Sequence, residues 1–207
     1  FRQGRQGGLI AVERPKGDAL RYRPRLRGPP WQSPGRRVWA NRFGRLDGLV
    51  NNASAFFPTP LGTVTTEQWD ELFASNTRAS FFLAQAAARH LRDRAGAIVN
   101  LLDIYAERPL PGYSVYCMAK AAQAAMTLAL AHELGPEVRV NGIAPGAVLW
   151  PETGHAQASR SDIIARTPLK RTGTAEDVAS AVLWLLRDAR FVTGQVIRVD
   201  GGRSISV

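Results

Sequence analysis

"GAIVNLLDIYAERPLPGYSVYCMAKAAQAAMTLALAHELGPEVRVNGIAPG", residues 96–146, decides the fold. It opens on a short apolar run, "GAIVNLL", of the kind that forms a strand buried on both faces. A polar, proline-bearing loop follows, and then an Ala-rich helical stretch, "SVYCMAKAAQAAMTLALAHEL", which Gly135-Pro136 ends. "VRVNGIAPG" is a second buried strand with a Pro-Gly stop. Strand, helix and strand in that order make a crossover unit of a parallel sheet.

The same grammar extends both ways. Upstream, "LDGLVNNAS" is a buried strand closing on polar residues, and "TTEQWDELFASNTRASFFLAQAAARHLRDR" is a long helical pattern. Thr65 and Gln68 have the spacing of a capping box at its start. Downstream, "TAEDVASAVLWLL" is a helix opened by Thr174 with Asp177 three residues on, and "GQVIRVDGG" is a last strand. The alternation predicts an α/β, doubly wound, Rossmann-like parallel sheet with helices on both faces. No internal repeat is visible.

In such sheets ligands sit beyond the carboxyl ends of the strands. Asn51, Asn52 and Ser54 fall at the first of these ends, Asp103 at the second, and Pro145 and Gly146 at the third. Tyr116 and Lys120 stand four residues apart, so on a helix they share a face. An ammonium beside a phenol favours the phenolate, at about 1.4 kcal/mol per unit of pKa, and so tunes a proton donor. Alone, the pair reads equally as a half-exposed Tyr beside a solvated Lys. The strand-end setting favours the catalytic reading.

Composition bounds the rest. The chain has 207 residues, enough for one domain with a sizeable core, and its formal charge is +10. Residues 1–41 carry nine Arg and Lys16 against Glu13 and Asp18, a net of +8, which leaves +2 for the remainder. The basicity belongs to one Arg/Pro/Gly-rich segment whose prolines forbid a long helix. Its only strand-like piece is "GLIAV", residues 8–12. That segment reads as a disordered arm or as chain packed irregularly on the domain, residues 42–207. Its aromatics are too few for a nucleic-acid platform. No apolar run reaches 18 residues, so no membrane span is expected, and the charged N-terminus lacks the apolar h-region of a signal peptide. The single cysteine, Cys117, fits a reducing cytoplasm. His90, His132 and His155 show no metal-ligand spacing and read as surface residues. Trp69, Trp150 and Trp184 read as core or interface residues.

Residues 43–207 resemble the short-chain dehydrogenase/reductase family. The resemblance rests on "NNAS" at 51–54, Asn76, Tyr116 and Lys120, "PG" at 145–146 and "TGQVIRVDGG". It implies an NADP(H)-dependent cytoplasmic oxidoreductase, commonly a tetramer built through the helices at 65–94 and 114–134. It also implies cofactor contacts from Asn52, Ala53, Ser54, Tyr116, Lys120, Pro145 and Gly146. Asn76 would help hold a proton-relay water. Most members carry serine thirteen residues before the tyrosine, where this chain has Asp103. That substitution, with "NNASAFFPTPLG" and "PLKRTGTAEDVA", resembles the pteridine reductase branch. There Asp103 and Tyr116 would protonate a pterin ring nitrogen, and Phe56 would stack on the pterin. Phe57 reads as a loop anchor.

Asp103 has a plainer reading as an acceptor for loop amides. The segment 147–166, "AVLWPETGHAQASRSDIIAR", reads as an irregular, mobile substrate loop. The chain departs from the family upstream. A glycine-rich phosphate turn should lie farther from "NNAS" than the 50 residues available, and none has a strand–turn–helix context. The expectation is a frameshifted or truncated gene model lacking a normal first βαβ unit, with a genuine variant carrying a rebuilt N-terminus as the alternative. Two alternatives to a pterin reductase stay open: a carbonyl or 3-oxoacyl reductase, and a non-catalytic binding relic.

Overall fold

The computed structural model describes residues 9–11, 45–148 and 157–206. Most of the basic segment, and with it the disordered-arm reading, lies outside these residues, as do Trp150 and His155.

Five strands form one sheet in the order β1 (Leu9–Ala11), β2 (Gly48–Asn51), β3 (Ala97–Leu101), β4 (Arg139–Pro145) and β5 (Val196–Val199). β2 to β5 are parallel, as expected. β1 comes from "GLIAV" and pairs antiparallel with β2 at one edge. This is the one departure from an all-parallel sheet.

The helices are α1 (Thr66–Phe73), α2 (Ala79–Arg92), α3 (Ser114–Leu134), α4 (Gln157–Ala165) and α5 (Ala175–Arg187). Thr65 and Gln68 close the predicted capping box, and Thr174 and Asp177 close another on α5. The long helix expected over 65–94 is interrupted by a wide π turn at Ala74–Arg78. Residues 147–166 are not irregular throughout, because α4 occupies part of them.

Register explains the layers. Leu49, Ile98 and Val140 stand side by side and bury one sheet face against α2 and α3, through Ala84, Leu91, Met126 and Leu130. One residue along, Val50 and Val99 turn to the opposite face, where Leu185 and Ala189 of the α5 region cover them. One residue further, Asn51, Asn100 and Gly142 return to the α2/α3 face. That third row is polar, and it lies next to the strand ends.

α3 matches it. Tyr116, Lys120, Gln123, Thr127, Leu130 and Leu134 are all buried and follow the three-and-four spacing of one helix face. The half of this stripe near the strand ends is polar, and the other half is apolar. Arg139 of β4 donates to the carbonyls of Leu185, Leu186 and Ala189, closing the last turn of α5. Trp69 and Trp184 are not core residues; both are exposed.

Candidate active site

Three loops build the crevice at the strand ends. After β2, the chain is tied to the start of α3. Thr59 donates its N–H to the Gly112 carbonyl at 2.6 Å, and the Val115 N–H reaches Thr59 Oγ1 at 3.4 Å. This tether brings Phe56 onto α3. Its ring stacks on Tyr113, centroids 4.6 Å apart, and meets Tyr116 edge-on at 4.8 Å. Phe57 packs in the same cluster, as a loop anchor should.

The Asn76 side chain lies in the π turn and is fully buried. Its Oδ1 accepts from Ser54 Oγ at 2.7 Å, and its Nδ2 donates to the carbonyls of Ala55 and Leu72. The amide therefore clamps the loop that carries Asn52, Ala53 and Ser54. Protein groups satisfy it completely, so any water it orders must be held by backbone. A π turn offers such backbone, since it disturbs the regular carbonyl ladder.

Asp103 accepts two hydrogen bonds, one through each carboxylate oxygen. Oδ1 accepts the Tyr105 N–H at 2.9 Å and caps the short turn Ile104–Ala106. Oδ2 accepts the Tyr116 hydroxyl at 2.7 Å. Burial pushes the Asp103 carboxyl up, against the lowering pull of the Tyr105 amide, Tyr116, Lys120 and Arg203. Burial likewise pushes the Tyr116 phenol well up, and the charge of Asp103 adds to it. The lowering expected from Lys120 is not what governs this phenol. The ammonium sits 5.9 Å from the ring centroid, whereas the carboxylate touches the hydroxyl.

Lys120 is buried. Its Nζ donates to the Leu101 carbonyl at 2.9 Å and to Gln123 Oε1 at 3.2 Å. Burial lowers its pKa to about 8, with Asp103 opposing. An ammonium has three protons, so one remains for a ligand hydroxyl.

At the third strand end Gly146 packs against Asp200. A Cβ at 146 would fall 2.8 Å from the Asp200 Cα and Cβ, so no side chain fits there. Asp200 in turn accepts from the N–H groups of Gly202 and Ser204, which fixes the chain after β5. Gly146 thus keeps bare backbone just after Pro145, at the end of β4.

The family resemblance implies a nicotinamide nucleotide, and the residues present would fit its nicotinamide–ribose end. Backbone at 145–146 allows close approach, Asn52 to Ser54 border the loop, and Lys120 keeps a donor for a ribose hydroxyl. The glycine-bearing stretches upstream of β2, where a phosphate turn was sought, lie outside the described residues.

Sequence reasoning missed two parts of the site. Arg203, in the turn Arg203–Ile205, opposes the burial-driven rise in pKa of both Asp103 and Tyr105, and donates to the Ile163 carbonyl of α4 at 3.4 Å. Gln123 was read only as part of an Ala-rich helix. The spacing from Lys120 was the available signal. Cys117 is a buried packing residue, as expected, accepting the Leu110 N–H at 3.3 Å. Among the described residues no group of His, Cys, Asp and Glu could hold a metal, and no helix is long and apolar enough to cross a membrane.

The chain is similar to known proteins in sequence and in fold. A family model described as Enoyl-(Acyl carrier protein) reductase matches residues 37–204. L-xylulose reductase of Caenorhabditis elegans is 40% identical over 167 residues, covering 77% of this chain and 66% of that protein. Pteridine reductase 1 of Leishmania tarentolae is 36% identical over 188 residues, covering 79% of this chain and 65% of its own. The chain therefore spans about two thirds of the length of these curated relatives. A solved short-chain type dehydrogenase/reductase from Mycobacterium ulcerans superposes with a TM-score of 0.78 at 32% identity, covering 83% of this chain and 65% of that one. These relatives differ in substrate, so the likeness fixes the family and not the branch.

Proposed function

Because this chain belongs to the short-chain dehydrogenase/reductase family of oxidoreductases, we propose that its site reduces a ring C=N of a pterin or dihydropterin with NADPH. The observation that carries this reading is the 2.7 Å bond between Tyr116 Oη and Asp103 Oδ2. A carbonyl oxygen needs one proton and a neutral hydroxyl to hold it. A ring nitrogen beside the carbon that accepts hydride needs a proton from a relay that can be refilled.

When bound, NADPH would supply the hydride. The chain supplies everything else. Burial raises the Asp103 carboxyl's pKa, which favours its protonated form, and that form can reverse its bond and donate to Tyr116 Oη. The phenol proton then turns toward the substrate nitrogen. As that nitrogen takes the Tyr116 proton, Asp103 returns one to the phenol oxygen, and solvent recharges Asp103. Lys120 offers its remaining donor to the ribose and keeps positive charge beside the phenol as its proton leaves. Phe56, held by Tyr113 and Tyr116, offers a flat wall for a heteroaromatic ring.

A second reading, reduction of a carbonyl, draws support from the higher identity to L-xylulose reductase. A homo-oligomer fits an exposed groove between the α1–α2 arm and α3, lined by Phe73, Phe81, Phe82, Met126 and Leu130.

The test is a substrate panel. The purified chain is given NADPH or NADH with a dihydropterin, xylulose or a 3-oxoacyl ester. The pterin reading expects the dihydropterin with NADPH to have the highest kcat/KM. A higher value for either carbonyl substrate would overturn it.

A further inference from the structure

Gln123 is a buried neutral amide on the sheet-facing stripe of α3, where the apolar packing of the helix would otherwise continue. Burying an amide without partners is costly, and both polar atoms of this one have a partner. Its Oε1 accepts from Lys120 Nζ at 3.2 Å, and its Nε2 donates to Ser80 Oγ at 3.2 Å. Its orientation follows from chemistry, because an ammonium has no acceptor and only the amide oxygen can face it.

The backbone of Gln123 is fixed from the sheet. Thr127 Oγ1 donates to the Gln123 carbonyl at 2.9 Å and accepts from Asn100 Nδ2 at 2.9 Å. Asn100 Oδ1 in turn accepts from Asn51 Nδ2 at 2.8 Å. A continuous row of polar groups thus runs from β2 through β3 to α3 and stops at Lys120.

We propose that Gln123 is a positioning residue of the reductase site: its carbonyl oxygen, held in place by Ser80, fixes the direction of the Lys120 ammonium and keeps it charged. The Leu101 carbonyl takes a second proton of Lys120 from the β3 end. These two acceptors leave the third proton directed away from both. Among the described residues, the charged group acting on Lys120 is Asp103, from the loop after β3. Tyr116 on its own helix is the nearby phenol. Ser80 from α2 reaches Lys120 only through Gln123.

The inference rests on the reductase reading for its meaning, but its test does not depend on turnover. The chain has three lysines, Lys16, Lys120 and Lys170, so labelled lysine side chains give few resonances in an NMR titration. Wild-type Lys120 is expected to titrate near pH 8. In Gln123→Leu its midpoint should fall by about one unit, the usual effect of a lost hydrogen bond to a charge. In Gln123→Glu it should rise, because a carboxylate then faces the ammonium. Opposite shifts are not what a merely structural amide would give. An unmoved Lys120 midpoint in both variants, or the same direction in both, overturns the proposal.

If Gln123→Leu does not fold, Gln123→Glu decides alone: a rise supports the proposal and no rise defeats it. Where a reduction is measurable, the loss of rate at high pH should follow the same shifts. A moved Lys120 midpoint in a chain that reduces no pterin would keep the positioning role and reject the pterin reading.

Discussion

Asn51 of β2 and Asn100 of β3, register partners, are joined by their side chains, Asn51 Nδ2 donating to Asn100 Oδ1 at 2.8 Å. Both amides are buried beneath α2 and α3. Asn100→Ala would remove the best partner of Asn51, leaving a 3.4 Å bond to the Ser80 carbonyl, and would free Thr127 from the sheet. Stability should fall by about 1–3 kcal/mol, the cost of leaving a buried polar group unpaired. Urea unfolding with unchanged slope measures it. A loss below about 0.5 kcal/mol, within surface-substitution range, would show that the row is not structural.

Gly146 fits where no other residue does. The methyl of Gly146→Ala would lie 2.8 Å from the backbone of Asp200, which cannot step aside as a side-chain tip can. We expect a loss of about 1–3 kcal/mol, the usual result of overpacking. Nicotinamide nucleotide affinity should also fall, since the third strand end must move. Wild-type values for both in Gly146→Ala would refute the close approach.

The architecture was legible because each buried strand carries its own stop signal, "NNAS", "LLD" or "APG", and because Thr65 and Thr174 announce their helices. The residues Asp103, Tyr116 and Lys120 could be placed at one crevice for the same reason. The π turn at Asn76 was not legible, since "ASNTR" has ordinary helical composition and the bulge depends on the tether to Ser54 and Ala55. The antiparallel sense of β1 depends on pairing partners rather than on local pattern. The rise of the Tyr116 pKa was also hidden. Spacing shows which charges are near, but desolvation depends on depth, and depth dominates here. Gln123 looked like any helical residue until the packing placed it between Lys120 and Ser80.

Lys120 should leave a mark on stability as a function of pH. The unfolded chain keeps this lysine protonated to about pH 10, whereas the folded chain releases its proton from about pH 8. Between these values the unfolded state binds more protons, so the lysine's contribution to stability rises with pH. Lys120→Met cannot show that rise. The stability of wild type relative to Lys120→Met should grow by about 2–3 kcal/mol from pH 8 to pH 10. A constant difference across that range would mean that the folded lysine titrates normally.

Phe56 is expected to hold the substrate and not to react. Phe56→Ala removes the ring that stacks on Tyr113. KM for a dihydropterin should rise about tenfold, the scale of one aromatic contact with its buried area, while kcat changes little. Phe56→Tyr should restore most of the loss. A fall in kcat alone would assign the ring to positioning Tyr116, which it meets edge-on.

Asp103→Ser tests the central claim most directly, with Tyr116 and Lys120 left in place. A serine can still cap the Tyr105 N–H, so the fold should survive. It cannot relay a proton as a carboxyl can, because its hydroxyl is a far weaker acid. The rates of dihydropterin and carbonyl reduction are measured side by side in the variant and the wild type. Pterin reduction should fall by about 10² to 10⁴, the worth of a positioned acid–base group, while carbonyl reduction is spared or improved and NADPH affinity holds. An equal loss of both reactions, or no loss of either, would contradict the role given to the Asp103–Tyr116 pair.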